Sequence, residues 1–165
     1  MRSATFDSSF WVHAVYLGLV DQLLADFTLI CAPDVEREFK NENATSTRLR
    51  ELLVSGGIRR IEPKVDSVKL PGRGERAAIN LAIERSLTLL IDDWRPFETA
   101  RQNGVEVINI AVYVVKLAGE RRITTEEALT KLARMIRRGT LRLEWIMTAM
   151  KMVAEVQERT DRNTQ

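Results

Sequence analysis

The sequence predicts a three-layer α/β/α domain in which helices cover a central parallel sheet. Two observations lead to this fold class. Short, continuously apolar segments of strand length alternate with helical segments, and this alternation is typical of parallel sheets buried on both faces. From Ala111 onward the pattern is mostly helical. We therefore expect an α/β domain with a helical C-terminal extension.

Five segments have the composition of strands. They are Ala4–Phe6, Phe27–Cys31, Ile58–Ile61, Leu87–Ile91 and Val105–Ile108. The third ends at Pro63, so we expect it at an edge of the sheet. Leu87–Ile91 is apolar throughout, as expected for a central strand.

Helix signals lie between and after these strands. Predicted helices begin at or near Ser8, Pro33, Arg48, Glu75, Pro96, Thr124 and Leu141. The first helical region is expected to break near Gly18. The second carries Asp34, Glu36 and Glu38 in its first turns, where acids favour the helix dipole.

Composition limits the class of protein. The chain has 165 residues, 45% of them hydrophobic, which suits one globular domain. No apolar run reaches the length of a membrane span, and the N-terminus lacks a signal-peptide pattern. Cys31 is the single cysteine, so no internal disulfide forms. We expect a cytoplasmic protein with no membrane partner.

Positive charge is concentrated late in the chain, although the net charge is only +2. The segment from Lys116 to Lys151 contains nine basic residues and only four acidic ones. This imbalance suits contacts with a phosphate backbone, and equally a solvated helical face.

Acidic residues stand where parallel sheets place their ligand sites. Asp7 follows the first strand, and Asp92 and Asp93 follow the central one. Glu38 lies beyond the second strand, and Glu75 begins a helix. Clustered carboxylates need a cation, and oxygen ligands suit Mg²⁺ or Mn²⁺. His13 is the only histidine, which disfavours zinc.

Each acid also has a simpler interpretation. Asp7 alone would more often be a helix cap, and Glu75 could merely favour a helix dipole. Asp92 and Asp93 could form a turn without chemistry. The combined placement of all of them favours the functional interpretation.

Five motifs in order resemble a known family. They are Asp7-Ser8-Ser9, Pro33–Glu38, Gly74–Ala78, Leu89–Asp93 and Ala100–Val105. Together they resemble PIN-domain proteins, most closely the prokaryotic PIN-like proteins related to VapC-type toxin nucleases. The resemblance covers roughly residues 3–135. It implies a PIN-like α/β/α fold and a metal-dependent endoribonuclease, possible toxin of a toxin–antitoxin pair.

The resemblance also implies roles for individual acids. Asp7 and Asp93 would bind the cation directly, whereas Glu38 and Glu75 would bind it through water or position the attacking water. All four are the candidate catalytic residues. Asp92 is either a further metal ligand or a turn residue, and Glu36 competes with Glu38 for the helix position.

Other polar residues would support this site. Ser8, Ser9 and Asn109 are expected to orient the metal ligands. The basic residues Arg73, Arg76 and Arg95 are expected to hold the RNA backbone.

Two positions depart from the family pattern. Asn109 follows the last strand where relatives have Gly-Thr, and it could replace the hydroxyl. Trp94 separates the aspartate pair from Arg95, where relatives often have Asp-Asp-Arg. Its indole could stack on a base, but burial in the core is the favoured interpretation.

The predicted domain organisation is a PIN-like nuclease domain at 1–138 and a C-terminal helix at 139–165. That helix has an apolar stripe of Ile146, Ala149, Met150 and Val153. It would pack on the domain or form a dimer interface. The expected partners are RNA, a second copy of the chain and possibly an antitoxin. A non-catalytic RNA- or protein-binding module and a purely structural subunit are the alternatives.

Overall fold

The computed structural model describes residues 1–163 and divides into two compact units. The first comprises residues 1–108, and the second begins at Asn109. The sequence-based boundary at 138/139 falls within the second unit. Residues 164 and 165 of the predicted C-terminal segment lie outside the described residues.

The first unit contains a parallel sheet, which confirms the predicted fold class. Its strands are β1 (Arg2–Phe6), β2 (Phe27–Cys31), β3 (Ile58–Arg60), β4 (Thr88–Leu90) and β5 (Val107–Ile108). Their order in the sheet is β3-β2-β1-β4-β5, and every pairing is parallel. The segment at Ile58 is an edge strand, as predicted.

Helices connect these strands. They are α1 (Ser8–Tyr16), α2 (Val20–Asp26), α3 (Pro33–Glu36), α4 (Ala44–Ser55), α5 (Arg73–Arg85) and α6 (Trp94–Gln102). The right-handed crossover rule places α1, α2 and α4 on one face of the sheet and α5 and α6 on the other. The direction of the connections therefore reverses between β1 and β4, which are neighbours at the centre.

Helix boundaries differ from the sequence prediction at two informative places. α6 begins at Trp94 rather than at Pro96, because proline is tolerated within the first turn of a helix. α3 ends at Glu36, so Glu38 lies beyond the helix and not on it. The predicted break between α1 and α2 is confirmed, and Gly18 there has a φ of +68°.

The second unit is helical. It contains α7 (Ile110–Gly119), α8 (Thr125–Arg138) and α9 (Leu143–Asn163). α9 packs against α7 and α8, and its residues Ile146, Ala149 and Val153 are buried. The fourth member of the predicted stripe, Met150, is half-buried.

Within residues 1–163, no helix combines the length and apolar character needed to cross a membrane.

Candidate metal centre

The site lies at the carboxyl ends of β1 and β4, where the connection direction reverses. Asp7 directly follows β1, and its backbone N–H donates to the Leu90 carbonyl at 3.1 Å. Asp92 and Asp93 follow β4 after Ile91. Ligands of parallel α/β folds bind at this kind of switch point. The sheet therefore brings acids that are about 85 residues apart in sequence to one edge.

Three carboxylates form a compact cluster there. Asp7, Glu75 and Asp93 each offer one oxygen atom, and these atoms lie within 4.8 Å of one another. Like charges at this separation repel strongly unless a proton or a cation neutralises them. Oxygen-only donors of this kind fit Mg²⁺ or Mn²⁺. The sequence prediction had named these three among its four candidate acids.

Asp7 is both a helix cap and a member of the cluster. Its carboxylate accepts hydrogen bonds from the Phe10 backbone N–H at 2.9 Å and from Ser9 Oγ at 2.7 Å. Only 1% of the residue is exposed. Burial raises its pKa well above the ordinary value, and the charges of Asp92 and Asp93 add to the rise. Capping therefore holds the carboxylate in place without neutralising it.

Glu75 and Asp93 form the more accessible side of the cluster. Asp93 occupies the N-cap position of α6 but makes no side-chain capping bond. Its carboxyl group is instead hydrogen-bonded to Glu75. Burial, together with the charges of Asp93 and Glu38 and this hydrogen bond, raises the pKa of Glu75 to about 7. Near neutral pH Glu75 can therefore hold a proton that a bound cation would displace.

Glu38 adjoins this cluster and connects three segments. Its Oε1 accepts from the Gly74 backbone N–H at 3.1 Å, and its Oε2 accepts from Ser8 Oγ. Glu36 points elsewhere and accepts two hydrogen bonds from Arg60, at 2.6 and 2.7 Å. Of the two glutamates that the sequence left as alternatives, Glu38 lies at the site.

Gly74 makes the close approach of Glu38 possible. A Cβ atom at this position would stand 2.7 Å from Glu38 Cδ, well inside van der Waals contact. Any side chain there would displace Glu38 or the start of α5, which carries Glu75. The glycine that precedes Glu75 therefore has a packing reason.

Asp92 separates from Asp93 and pairs with His13. The Asp92 Oδ2 lies 2.6 Å from His13 Nδ1, and both side chains are buried. Asp92 is thus outside the three-carboxylate cluster, although its charge acts on Asp7. The only histidine therefore serves as the partner of a buried carboxylate. A lone histidine within the apolar helix α1 should have indicated a buried polar partner.

The remaining predicted residues have the following places. Ser9 donates to Asp7 and Ser8 donates to Glu38, so both contact a site acid. Asn109 begins the second unit, where its side chain accepts from the Val112 N–H at 2.9 Å and caps α7. Arg73 and Arg95 are exposed. Arg76 forms an ion pair with Asp66, and its Nε lies 3.7 Å from Asp66 Oδ1.

Trp94 is exposed, contrary to the favoured prediction of core packing. It retains 44% of its surface in contact with solvent. Its ring stacks on that of Phe97, one helical turn later, with centroids 6.4 Å apart and an interplanar angle of 11°. The reason is its position: as the first residue of α6 it lies at the rim of the sheet edge.

Fold and site together define a parallel α/β domain with a cluster of three carboxylates at the carboxyl edge of its sheet. A PIN-domain family model (DUF3368) matches residues 11–154, which is most of the chain. The chain therefore belongs to the PIN-domain family. PIN domains are generally nucleases that use divalent metals, and the acidic cluster is able to hold such an ion.

The chain was also compared with solved structures and with curated proteins. Eleven chains of solved structures match significantly. One is a PilT N-terminus domain protein, SSO1118, from the hyperthermophilic archaeon Sulfolobus solfataricus P2. It is 18% identical, with a TM-score of 0.42, and the match covers 66% of this chain and 87% of that one. None of the curated proteins matches significantly.

Proposed function

We propose that this PIN-domain protein is a metal-dependent endoribonuclease. The observation that carries the proposal is the convergence of Asp7, Glu75 and Asp93 from three separate segments. The pKa values of Asp7 and Glu75 are both raised, which indicates that their charged forms are unfavourable in the absence of a cation. Raised pKa values in a cluster of carboxylates at the carboxyl edge of a parallel sheet favour a functional interpretation of these residues over a purely structural one.

The acidic residues of the site have different proposed roles. Asp7 and Asp93 would hold the cation directly, and Glu75 would bind it or a water molecule next to it. Glu38 accepts hydrogen bonds from Ser8 and from the Gly74 backbone N–H beside the cluster, and this position suits it to orient the attacking water. A bound Mg²⁺ or Mn²⁺ would neutralise charge on the scissile phosphate and lower the pKa of a coordinated water.

The basic residues beside the cluster are suited to the phosphate backbone. Arg73 is two residues from Glu75, and Arg95 is two residues from Asp93. Among residues 1–163 neither arginine has an ion-pair partner. Binding through them makes the affinity for RNA fall with rising salt concentration.

The same proposal includes partners. α9 exposes Leu143, Met147 and Met152, which is more apolar surface than a solvated helix needs. A homodimer or an antitoxin would cover such a surface, and the toxin role is proposed with it. Size-exclusion chromatography with light scattering, alone and with a co-expressed neighbouring gene product, tests both.

The experiment for the activity is cleavage of a mixed RNA pool with Mn²⁺ or Mg²⁺. Wild type is compared with Asp7→Asn and with Glu106→Gln, a matched loss of one carboxylate outside the cluster. Metal-dependent cutting that survives Glu106→Gln but not Asp7→Asn supports the proposal. Equal cutting by all three indicates a contaminant. RNA binding without cutting, in a protein that binds Mn²⁺, indicates a non-catalytic RNA-binding module.

A further inference from the structure

The aromatic pair Trp94–Phe97 lies at the rim of the carboxylate cluster. Trp94 directly follows Asp93, so their Cα atoms are about 3.8 Å apart. The indole is therefore attached to the backbone directly beside the cluster residue Asp93. No step of the proposed reaction uses this ring.

The indole is presented rather than buried. An exposed tryptophan is unusual because its large apolar surface gains free energy by leaving water. Here 44% of the residue stays exposed while Phe97 lies nearly parallel to it. Phe97 restricts the orientation of the indole, so less side-chain entropy is lost when a flat ligand stacks on it.

The charge around the pair selects the ligand. Arg95 is adjacent and exposed, and Arg73 is exposed two residues before Glu75, whose side chain is hydrogen-bonded to Asp93. A flat aromatic surface flanked by cations suits a nucleobase attached to a phosphate backbone. A protein partner would not require the carboxylate cluster next to it.

We infer that Trp94, supported by Phe97, is a stacking subsite for one unpaired base of the RNA strand whose phosphate lies at the Asp7–Glu75–Asp93 cluster. This inference rests on the proposed function and specifies its substrate. A base held in this way is unstacked from its neighbours, so single-stranded RNA is preferred over duplex. Stacking is tolerant of base identity, so little sequence preference arises at this position.

The test is a coupling experiment between one protein ring and one base. Short single-stranded RNAs that each lack one base at a different position are compared with the intact RNA in binding titrations with Ca²⁺, a divalent cation with oxygen ligands that replaces Mg²⁺ or Mn²⁺ so that binding is measured apart from cleavage. For wild type, one position near the cleaved bond is expected to weaken binding about five- to a hundredfold when its base is removed. For Trp94→Ala the intact RNA binds as weakly as that abasic RNA, and removing the base has no further effect.

Two further variants keep the result interpretable. Trp94→Phe should restore most of the affinity, because it retains a stacking face. Val54 lies on α4 and is 89% exposed. Val54→Ala shortens this apolar side chain and should leave RNA binding unchanged. Thermal melting of each variant verifies that the fold is intact.

The outcomes separate this inference from the proposed function. Suppose that wild type cuts RNA, and that removal of the same base weakens binding by Trp94→Ala as much as binding by wild type. The stacking subsite is then wrong, whereas the proposed nuclease function is retained. Equal rates of wild type on matched single-stranded and duplex RNA also overturn it. If wild type neither binds nor cuts RNA, both fail.

Discussion

The two ends of β1 and β4 handle acidic residues in opposite ways. At the amino ends, Glu106 next to β5 accepts hydrogen bonds from Arg2 on β1 and from Thr88 on β4, the latter at 3.0 Å. Its charge is compensated by an arginine at a solvated surface. At the carboxyl ends, Asp7 is buried beside other carboxylates. The same strands therefore carry a neutralised acid at one end and an uncompensated group at the other.

This difference distinguishes structural charge from functional charge. An ion pair formed for structure brings its own counter-charge, whereas the carboxyl end leaves the counter-charge to a ligand. Uncompensated buried carboxylates cost stability, and a bound cation would offset that cost. Substitutions at the two ends should consequently separate activity from stability.

The largest effect is expected for Asp93→Asn. Loss of a metal-binding carboxylate should reduce Mn²⁺-dependent RNA cleavage by about 100-fold or more. The metal-free variant should melt no lower than wild type, because the substitution removes repulsion. Cleavage rates and melting curves in EDTA measure the two effects. A lower melting temperature with unchanged cleavage would contradict the functional assignment of this end.

Next in size is Gly74→Ala. The added Cβ conflicts with the Glu38 carboxyl group, which is the flexible end of an exposed side chain and can move aside, so we expect a loss of no more than about 1 kcal/mol in the free energy of unfolding. Mn²⁺ affinity should fall because Glu38 is displaced from its place beside the cluster. Gly119→Ala is the matched control, since a Cβ there meets nothing within 4 Å. Mn²⁺ titration should show a weaker affinity for the first variant only, and urea titration should show similar stability for both.

The pH dependence of the metal-free protein is a smaller effect with a defined sign. The pKa of Glu75 is about 7 in the folded protein, whereas its ordinary value, which applies to the unfolded chain, is 4.5. Between these values the folded form keeps a proton that the unfolded form has lost, so its stability falls as pH rises from about 4.5 through 7. Asp7 acts in the same direction.

Melting temperatures from pH 5 to 8 measure this slope. Glu75→Gln should flatten it, and saturating Mn²⁺ should raise stability most at the alkaline end. A metal-free protein whose stability rises with pH over this window would show that the cluster is already neutralised.

The smallest effect is expected for Arg2→Ala. The Arg2–Glu106 pair is more than half exposed on both sides. Such pairs contribute about 0–1 kcal/mol to the free energy of unfolding. Activity should be unchanged at any salt concentration. A loss of cleavage in this variant would show that the amino end of the sheet takes part in the site.

Much of the fold was accessible from the sequence because local patterns specify it. Each predicted strand overlaps an observed one, and the proline after Ile58 correctly indicated an edge. Helix lengths were less accessible. Two proline signals misled in opposite directions, since Pro33 begins only a four-residue helix and Pro96 lies inside a turn that starts earlier.

The candidate site was predictable as far as strand ends determine it. Asp7 and Asp93 meet because β1 and β4 are neighbours, a pairing that places acids at one edge. The partner of each neighbouring residue was not predictable, because it depends on side-chain direction. Glu36 turns to Arg60 and Glu38 turns to Ser8, although only two residues separate them. No local pattern distinguishes the two.

The buried pair His13–Asp92 has a consequence for how this sequence can vary. Loss of either residue would remove the 2.6 Å contact from a buried polar group, so a lineage that loses one is under pressure to lose the other. Asp93, only one residue away, lies outside this pair and belongs to the three-carboxylate cluster instead. In an alignment of relatives, positions 13 and 92 should therefore change together, while position 93 stays acidic wherever the nuclease activity persists.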